Sequence, residues 1–242
     1  MVEVTLLHVC QDPPQMFMAA LYDVSQSTIS RVISRLRPVM NAVLGSFKPS
    51  LIDFLCDLSE AAEAAAKAAG LPPIVLVDGT LVRESWRKDN KEVYSGKHRA
   101  AGRNVQVVSD EAGKLMYASE PLPGRTHDRK AVYDTGIEAA IAASEVLGCG
   151  DKGYLGTAFL QPSKRSKYHP LTLAQIVENR WLNRGSAPVE RCISHVKGGL
   201  RILRHGVRTR GSDRVAVVDE TIDLAFSLYF HRRDWRSNDV RA

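Results

Sequence analysis

The chain predicts an α/β protein, a mixed sheet flanked by helices, with a purely helical region in front of it. Three patterns carry that reading. The apolar run Ile74, Val75, Leu76 and Val77 ends at Asp78 and has the length of a buried strand. Residues 104–109 (NVQVVS) and 114–119 (KLMYAS) flank Asp110-Glu111-Ala112-Gly113, a hairpin pattern with a four-residue connection. Beyond it a helical stretch, 128–143, leads into a second short apolar run, 145–149 (EVLGC). A strand, a hairpin, a helix and a further strand make a layered α/β core.

Taken in order, residues 13–37 read as two short helices with a tight joint. Pro13 and Pro14 suit a first helical turn, and Phe17, Met18, Ala20 and Leu21 give an apolar face before a break at Asp23 and Val24. Ser25 is an N-cap for a helix in which Ile29, Val32, Ile33 and Leu36 recur at helical spacing. Only a dozen residues precede this pair, so the first helix of a three-helix unit is expected to be short or missing, as if the chain were truncated there. SEAAEAAAKAA, 59–69, is a strong local helix with a Glu63–Lys67 pair, stopped by Gly70, Pro72 and Pro73. Leu122, Pro123 and Gly124 close the hairpin region. Thr172 and Gln175 form a capping box for a helix through Arg184, stopped by Gly185.

A helix follows from about Ser186, with Pro188 in its first turn. At 100° per residue from Val189, Ile193, Val196, Leu200 and Leu203 stay within about 40° of it, while Glu190, Lys197 and Arg201 lie about 80° to 120° away. A last amphipathic helix, 215–229, turns Val215, Val218, Ile222 and Tyr229 inward. The organisation is then a helical region at 1–45, a helical connector at 46–70, an α/β domain at 71–235 and a tail at 236–242.

With 242 residues, 44% hydrophobic and 25% charged, the chain can bury one sizeable core plus a small appended unit, and large-scale disorder is excluded. The net charge of +6 suggests a polyanionic partner. Cys10, Cys56, Cys149 and Cys192 are widely spaced, with neither a paired framework nor a zinc signature, so reduced thiols and no structural zinc are expected. No basic segment precedes the short apolar run at the start, and no stretch reads as the ~18 apolar residues of a membrane span. The expected location is cytoplasmic or nucleoid-associated, with no membrane partner.

Three acids stand at informative places: Asp78 in VDGT, Asp128 in PGRTHD and Glu190 in APVERCISHVK, 50 and 62 residues apart. Any one alone reads as a solvated charge or a helix cap. Converging carboxylates repel unless cations stand between them, so a converging trio implies bound divalent metal.

VDGT, YSGKHRAAGRNVQVV, PGRTHD, GDKGY, ENR and PVER, in this order over about residues 71–235, resemble the catalytic domain of DDE-superfamily transposases of the Harbinger-related insertion-sequence group. The resemblance implies a ribonuclease-H-like fold and a DDE triad of Asp78, Asp128 and Glu190 holding one or two Mg²⁺ ions, with Mn²⁺ as a substitute. Asp151 in GDKGY is the rival third carboxylate, which the family pattern makes a support beside the site. His127 reads as a neighbour of the site and not a ligand. Implied partners are DNA, at element ends and target, and further copies of the chain when two ends are held. Trp86 reads first as core and second as a platform for a flipped base.

YDVSQSTISRVISRL also resembles the helix-turn-helix at the start of these transposases, although periodicity alone fits a plain helical hairpin equally well. In that reading Gln26, Ser27, Ser30, Arg31 and Arg35 face the major groove. Three basic patches are candidate phosphate contacts: Lys97, His98, Arg99 and Arg103; Lys164, Arg165 and Lys167 with Tyr168; and Arg201, Arg204, Arg208 and Arg210, with Lys197 near the last. The expected activity is DNA cleavage and strand transfer at element ends. A host-adapted nuclease of the same fold, or a catalytically silent DNA-binding derivative, stay open as alternatives.

Overall fold

The computed structural model describes residues 1–69, 72–85, 91–165, 170–209 and 214–239, without the side chains of 61–69, 184 and 234–239. Trp86, Lys167, Tyr168, Gly70 and Arg210, and the side-chain pairing of Glu63 with Lys67, lie outside what is described.

Three helices open the chain: α1 (Val2–Gln11), α2 (Gln15–Leu21) and α3 (Gln26–Leu44). The first helix, expected to be short or missing, is α1, ten residues that bury Val4 and Val9. Its C-cap, Asp12, takes a left-handed conformation at φ 48°. Val4, Met18, Ala19, Ile29 and Ile33 form the small core of this unit. Ser25 caps α3 by accepting from the Thr28 N–H. The helix passes through Pro38 where the sequence suggested an end near residue 37. Tertiary contacts outweigh the lost donor: Met40 is buried, Arg37 pairs with Glu220 at 2.9 Å, and Asn41 donates to the Glu220 carbonyl at 2.7 Å.

After a short 3₁₀ turn at Gly45–Phe47 comes α4 (Leu51–Ala69). Contrary to expectation, an 18-residue window within Gln26–Glu60 reaches a mean hydropathy of 1.2, long and apolar enough by composition for a membrane span. That is weak evidence, because Lys48 in the same stretch is ion-paired with Glu120 at 3.2 Å and Asp223 at 3.1 Å.

The sheet contains β1 (Ile74–Arg83), β2 (Tyr94–Ser95), β3 (Ala100–Asp110), β4 (Leu115–Ala118), β5 (Leu122–Pro123) and β6 (Leu147–Cys149). The first strand runs well past Asp78, where the sequence ended it. β3 pairs antiparallel with β1 from Val75↔Asp110 to Arg83↔Gly102, and β4 pairs antiparallel with β3. Between β4 and β6 lie α5 (Asp128–Asp134) and α6 (Ile137–Ala142), one expected helix split at Gly136, φ 72°. Strand β6 then returns parallel to β1, from Ile74↔Leu147 to Leu76↔Cys149. A three-stranded antiparallel meander followed by a helical crossover to a strand parallel with the first is the ribonuclease-H-like arrangement.

Four more helices follow among the described residues: α7 (Leu173–Gly185), α8 (Ala187–Gly199), α9 (Arg201–His205) and α10 (Arg214–Asp239). One sheet face packs Val75, Val77 and Val108 against Leu55, Val132, Ile137 and Ile141 of α4 to α6. The other packs Leu76, Val82, Val105 and Val107 against Val189, Val196, Leu203, Val218 and Ile222 of α8 to α10. Val215, expected to face inward, is 51% exposed in the first turn of α10.

Candidate active site and nucleic-acid interface

β6 pairs with β1 only as far as Leu76, so Asp78 stands two residues beyond the point where the sheet loses its neighbour. Its Oδ1 accepts the Gly79 N–H at 2.8 Å. Burial pushes the Asp78 carboxyl up to about 7, and the nearby charges of Asp151 and Asp128 add to the rise, against the Gly79 N–H and Lys97. Two neighbouring carboxylates thus act on a third that is already short of water.

Asp128 is the first residue of α5, with His127 as N-cap. It reaches the sheet because residue 79 has no side chain: a Cβ there would lie 2.5 Å from Asp128 Oδ1 and 2.7 Å from Gln106 Nε2. A run of buried polar groups ends on this carboxylate. Tyr154 Oη donates to Gln106 Oε1 at 2.6 Å, Gln106 Nε2 to Asn104 Oδ1 at 2.8 Å, and Asn104 Nδ2 to Asp128 Oδ1 at 3.3 Å. Burial, and then the charges of Asp128, Asp78 and Asp151, hold the Tyr154 phenol well above its usual range. It stays a donor, which fixes the sense of both amides. The other oxygen, Asp128 Oδ2, accepts Lys97 Nζ at 2.7 Å.

Asp151 follows β6 and caps the 3₁₀ turn Lys152–Tyr154, accepting the Gly153 N–H at 2.7 Å. A Cβ on Gly153 would lie 2.8 Å from Asp151 Oδ1 and 2.9 Å from Asp128 Oδ2. Two glycines therefore leave the space into which the carboxylates of Asp128 and Asp151 converge, beside Asp78. A cavity of about 440 Å³ opens next to them, lined among others by Tyr94, Lys97, His98, Thr126, His127 and Asp128.

The structure thus brings Asp78, Asp128 and Asp151 together. Glu190 is exposed in the first turn of α8. It is Lys197, two turns on, that reaches the strand, donating to the Leu81 carbonyl at 2.8 Å. Burial and then Arg83 lower the Lys197 ammonium to about 8, with Asp78 opposing. Seven helical residues separate Glu190 from Lys197 by about 10 Å along the axis. Among the described residues, no three His, Cys, Asp or Glu side chains already stand at metal-holding separation.

One expected phosphate contact is corrected. Arg103 is 4% exposed in the middle of the sheet and ion-paired with Asp219 at 2.8 Å and Glu84 at 3.7 Å, so it ties α10 to β3 and faces no solvent. Arg208 is held by the Asp12 carboxylate at 2.7 Å. The other candidates are at the surface: Gln26, Ser27, Ser30, Arg31 and Arg35 on α3; Lys97, His98 and Arg99 between β2 and β3; Lys164 and Arg165; Arg201 and Arg204. Sequence reasoning missed Asn104, Gln106 and Tyr154. The available signal was two amides alternating with valines in NVQVV, polar groups placed on one face of an otherwise apolar strand.

A family model described as DDE superfamily endonuclease matches residues 77–228, from β1 into α10. The chain belongs to this family. The match contains Asp78, Asp128, Asp151 and Glu190, so the endonuclease model covers every acid discussed above. Among solved structures, the Mos1 transposase paired-end complex with left transposon end is similar at 15% identity, covering 82% of this chain and 78% of that chain, with a TM-score of 0.23. No curated protein matches the chain.

Proposed function

We propose that this DDE superfamily endonuclease is an insertion-sequence transposase: a divalent-metal-dependent enzyme that cuts DNA at element ends and joins the freed 3′ end to target DNA. The observation that carries the reading is the convergence of Asp78 and Asp128, with Asp151 beside them, at the open end of β1. Desolvated like charges gathered around two glycine-made spaces form an all-oxygen donor set, which fits a hard cation such as Mg²⁺, with Mn²⁺ as substitute. Asp78 and Asp128 would hold one or two ions, with Glu190 as the third ligand that the family resemblance implies and Asp151 in support. Such ions, when bound, activate the attacking oxygen and stabilise the leaving one.

The chain's own groups do the rest. The Gly79 N–H orients the Asp78 carboxylate, and the Tyr154–Gln106–Asn104 series fixes the rotamer of Asp128. Lys97, Arg99, Lys164, Arg165 and Arg201 offset phosphate charge that would otherwise meet an acidic site. Helix α3 reads sequence through Gln26, Ser27, Ser30, Arg31 and Arg35, in the manner of a recognition helix, with α1 and α2 bracing it. Holding two ends requires more than one copy, and the work would be done in the cytoplasm, at the nucleoid.

An assay that scores binding, nicking and joining separately on linear DNA carrying the element ends tests this. Wild type should bind, nick and join with Mg²⁺, and Asp128→Asn should bind without nicking. Nicking that survives excess chelator would overturn the metal chemistry. Cleavage without joining would favour a host nuclease of the same fold, and binding alone a silent derivative.

A further inference from the structure

We propose that the Lys97 ammonium is a built-in counter-cation for the carboxylate cluster, which a divalent cation must displace from Asp128 before it can bind. The inference rests on the metal-dependent reading above. Asp128 has two oxygens and the fold has committed one of them: Oδ1 is held by Asn104 and packed against Gly79 and Gln106. The other, Oδ2, faces Gly153 and the Asp151 carboxylate, and it is the oxygen that Lys97 Nζ takes at 2.7 Å. A cation that enters between Asp128 and its acidic neighbours therefore meets the ammonium first.

The two partners differ in freedom. The Asp128 side chain is 11% exposed and anchored at a helix start, whereas Lys97 is 55% exposed on the turn between β2 and β3. That turn includes Arg99 at φ 49°, a left-handed conformation. The mobile end of the pair is the cation. Burial opposes the charge on Lys97, but its hydrogen bond to Asp128 and the charges of Asp128, Asp151 and Asp78 outweigh that and raise its pKa. All three carboxylates thus act on one ammonium, the placement a neutralising cation needs when like charges would otherwise repel. A half-exposed ion pair is weak, so the ammonium holds the cluster together without locking metal out.

The test is metal binding without DNA, read by calorimetry with Mg²⁺ at fixed ionic strength. Lys97→Met should bind Mg²⁺ about two- to five-fold tighter than wild type, the competition expected from losing a weak ion pair. Lys97→Arg should stay near wild type, and Arg99→Met, which removes an adjacent exposed charge, should change affinity less than two-fold. Affinity of Lys97→Met within two-fold of wild type, or weaker, overturns the inference while leaving the metal-dependent reading intact. A wild type that binds no Mg²⁺ overturns both. If Lys97→Met fails to fold, wild-type protein decides: Mg²⁺ should increase acetylation of Lys97 by acetic anhydride, read by mass spectrometry, and unchanged labelling refutes displacement.

Discussion

Asp78→Asn should make the metal-free protein more stable, and only at the upper end of the pH range. In the folded chain the Asp78 carboxyl titrates near 7, against 3.8 for the free side chain, first because it is buried and then because Asp151 and Asp128 are near. Its folded pKa lies above its unfolded one, so the unfolded state releases this proton first as pH rises. The native state's advantage is complete below about pH 4 and is lost progressively up to about pH 7. A shift of roughly three units is worth about 4 kcal/mol at ~1.36 kcal/mol per unit. Solvent reaching the partly exposed group reduces this to about 2 kcal/mol. Asparagine keeps the shape and can accept the Gly79 N–H but never ionises. Urea unfolding in chelator should therefore show wild type and variant converging at pH 4 and the variant ahead by about 2 kcal/mol at pH 8. Equal stabilities at pH 8, or a variant that is worse, would refute the claim that burial outweighs the partners of the Asp78 carboxylate.

Arg103→Ala should lower stability by about 3 kcal/mol, because Asp219 and Glu84 lose their buried partner, yet leave the salt dependence of DNA binding unchanged; a slope reduced by about one unit in log K against log salt would restore it as a phosphate contact. Replacing Gln26 and Ser30 together with Ala should narrow the preference for element ends over random DNA in competition binding, at ~1 to 3 kcal/mol per lost base contact; equal loss on both DNAs would make α3 a packing element.

Local pattern was enough for most of the fold. Ser25, Thr172 with Gln175, and Pro188 announce helix starts through backbone chemistry that acts within four residues, and all three behave as read. What the chain hid depends on distance. Pro38 sits inside α3 because Arg37 and Asn41 meet Glu220, some 180 residues away, and no local rule can weigh that against a missing donor. Arg103 looked like one more cation in a basic stretch. Strand alternation put it inside, and the acid that receives it lies on the last helix.

The same distinction governs the site. Asp78 and Asp128 stood out in the sequence for local reasons: an apolar run that stops at an acid, and a Pro-Gly loop that delivers an acid to the first turn of a helix. Why Asp128 can approach the sheet was not legible as an acid at all, since it depends on the absent side chain of Gly79 and on amides of β3 oriented by Tyr154. Asp151 shares its glycine-made space with Asp128, so its nearness follows from where β6 ends relative to β1, a fact of pairing register. Glu190 sits on a helix whose packing is set by Val189, Cys192 and Val196, one residue to the side of the carboxylate in its first turn. Lys197 pins that helix to the Leu81 carbonyl of β1, and Glu190 lies about 10 Å along the axis from that contact. The third acid is thus the part of the site that depends most on how α8 seats against β1, and least on any residue the motif itself contains.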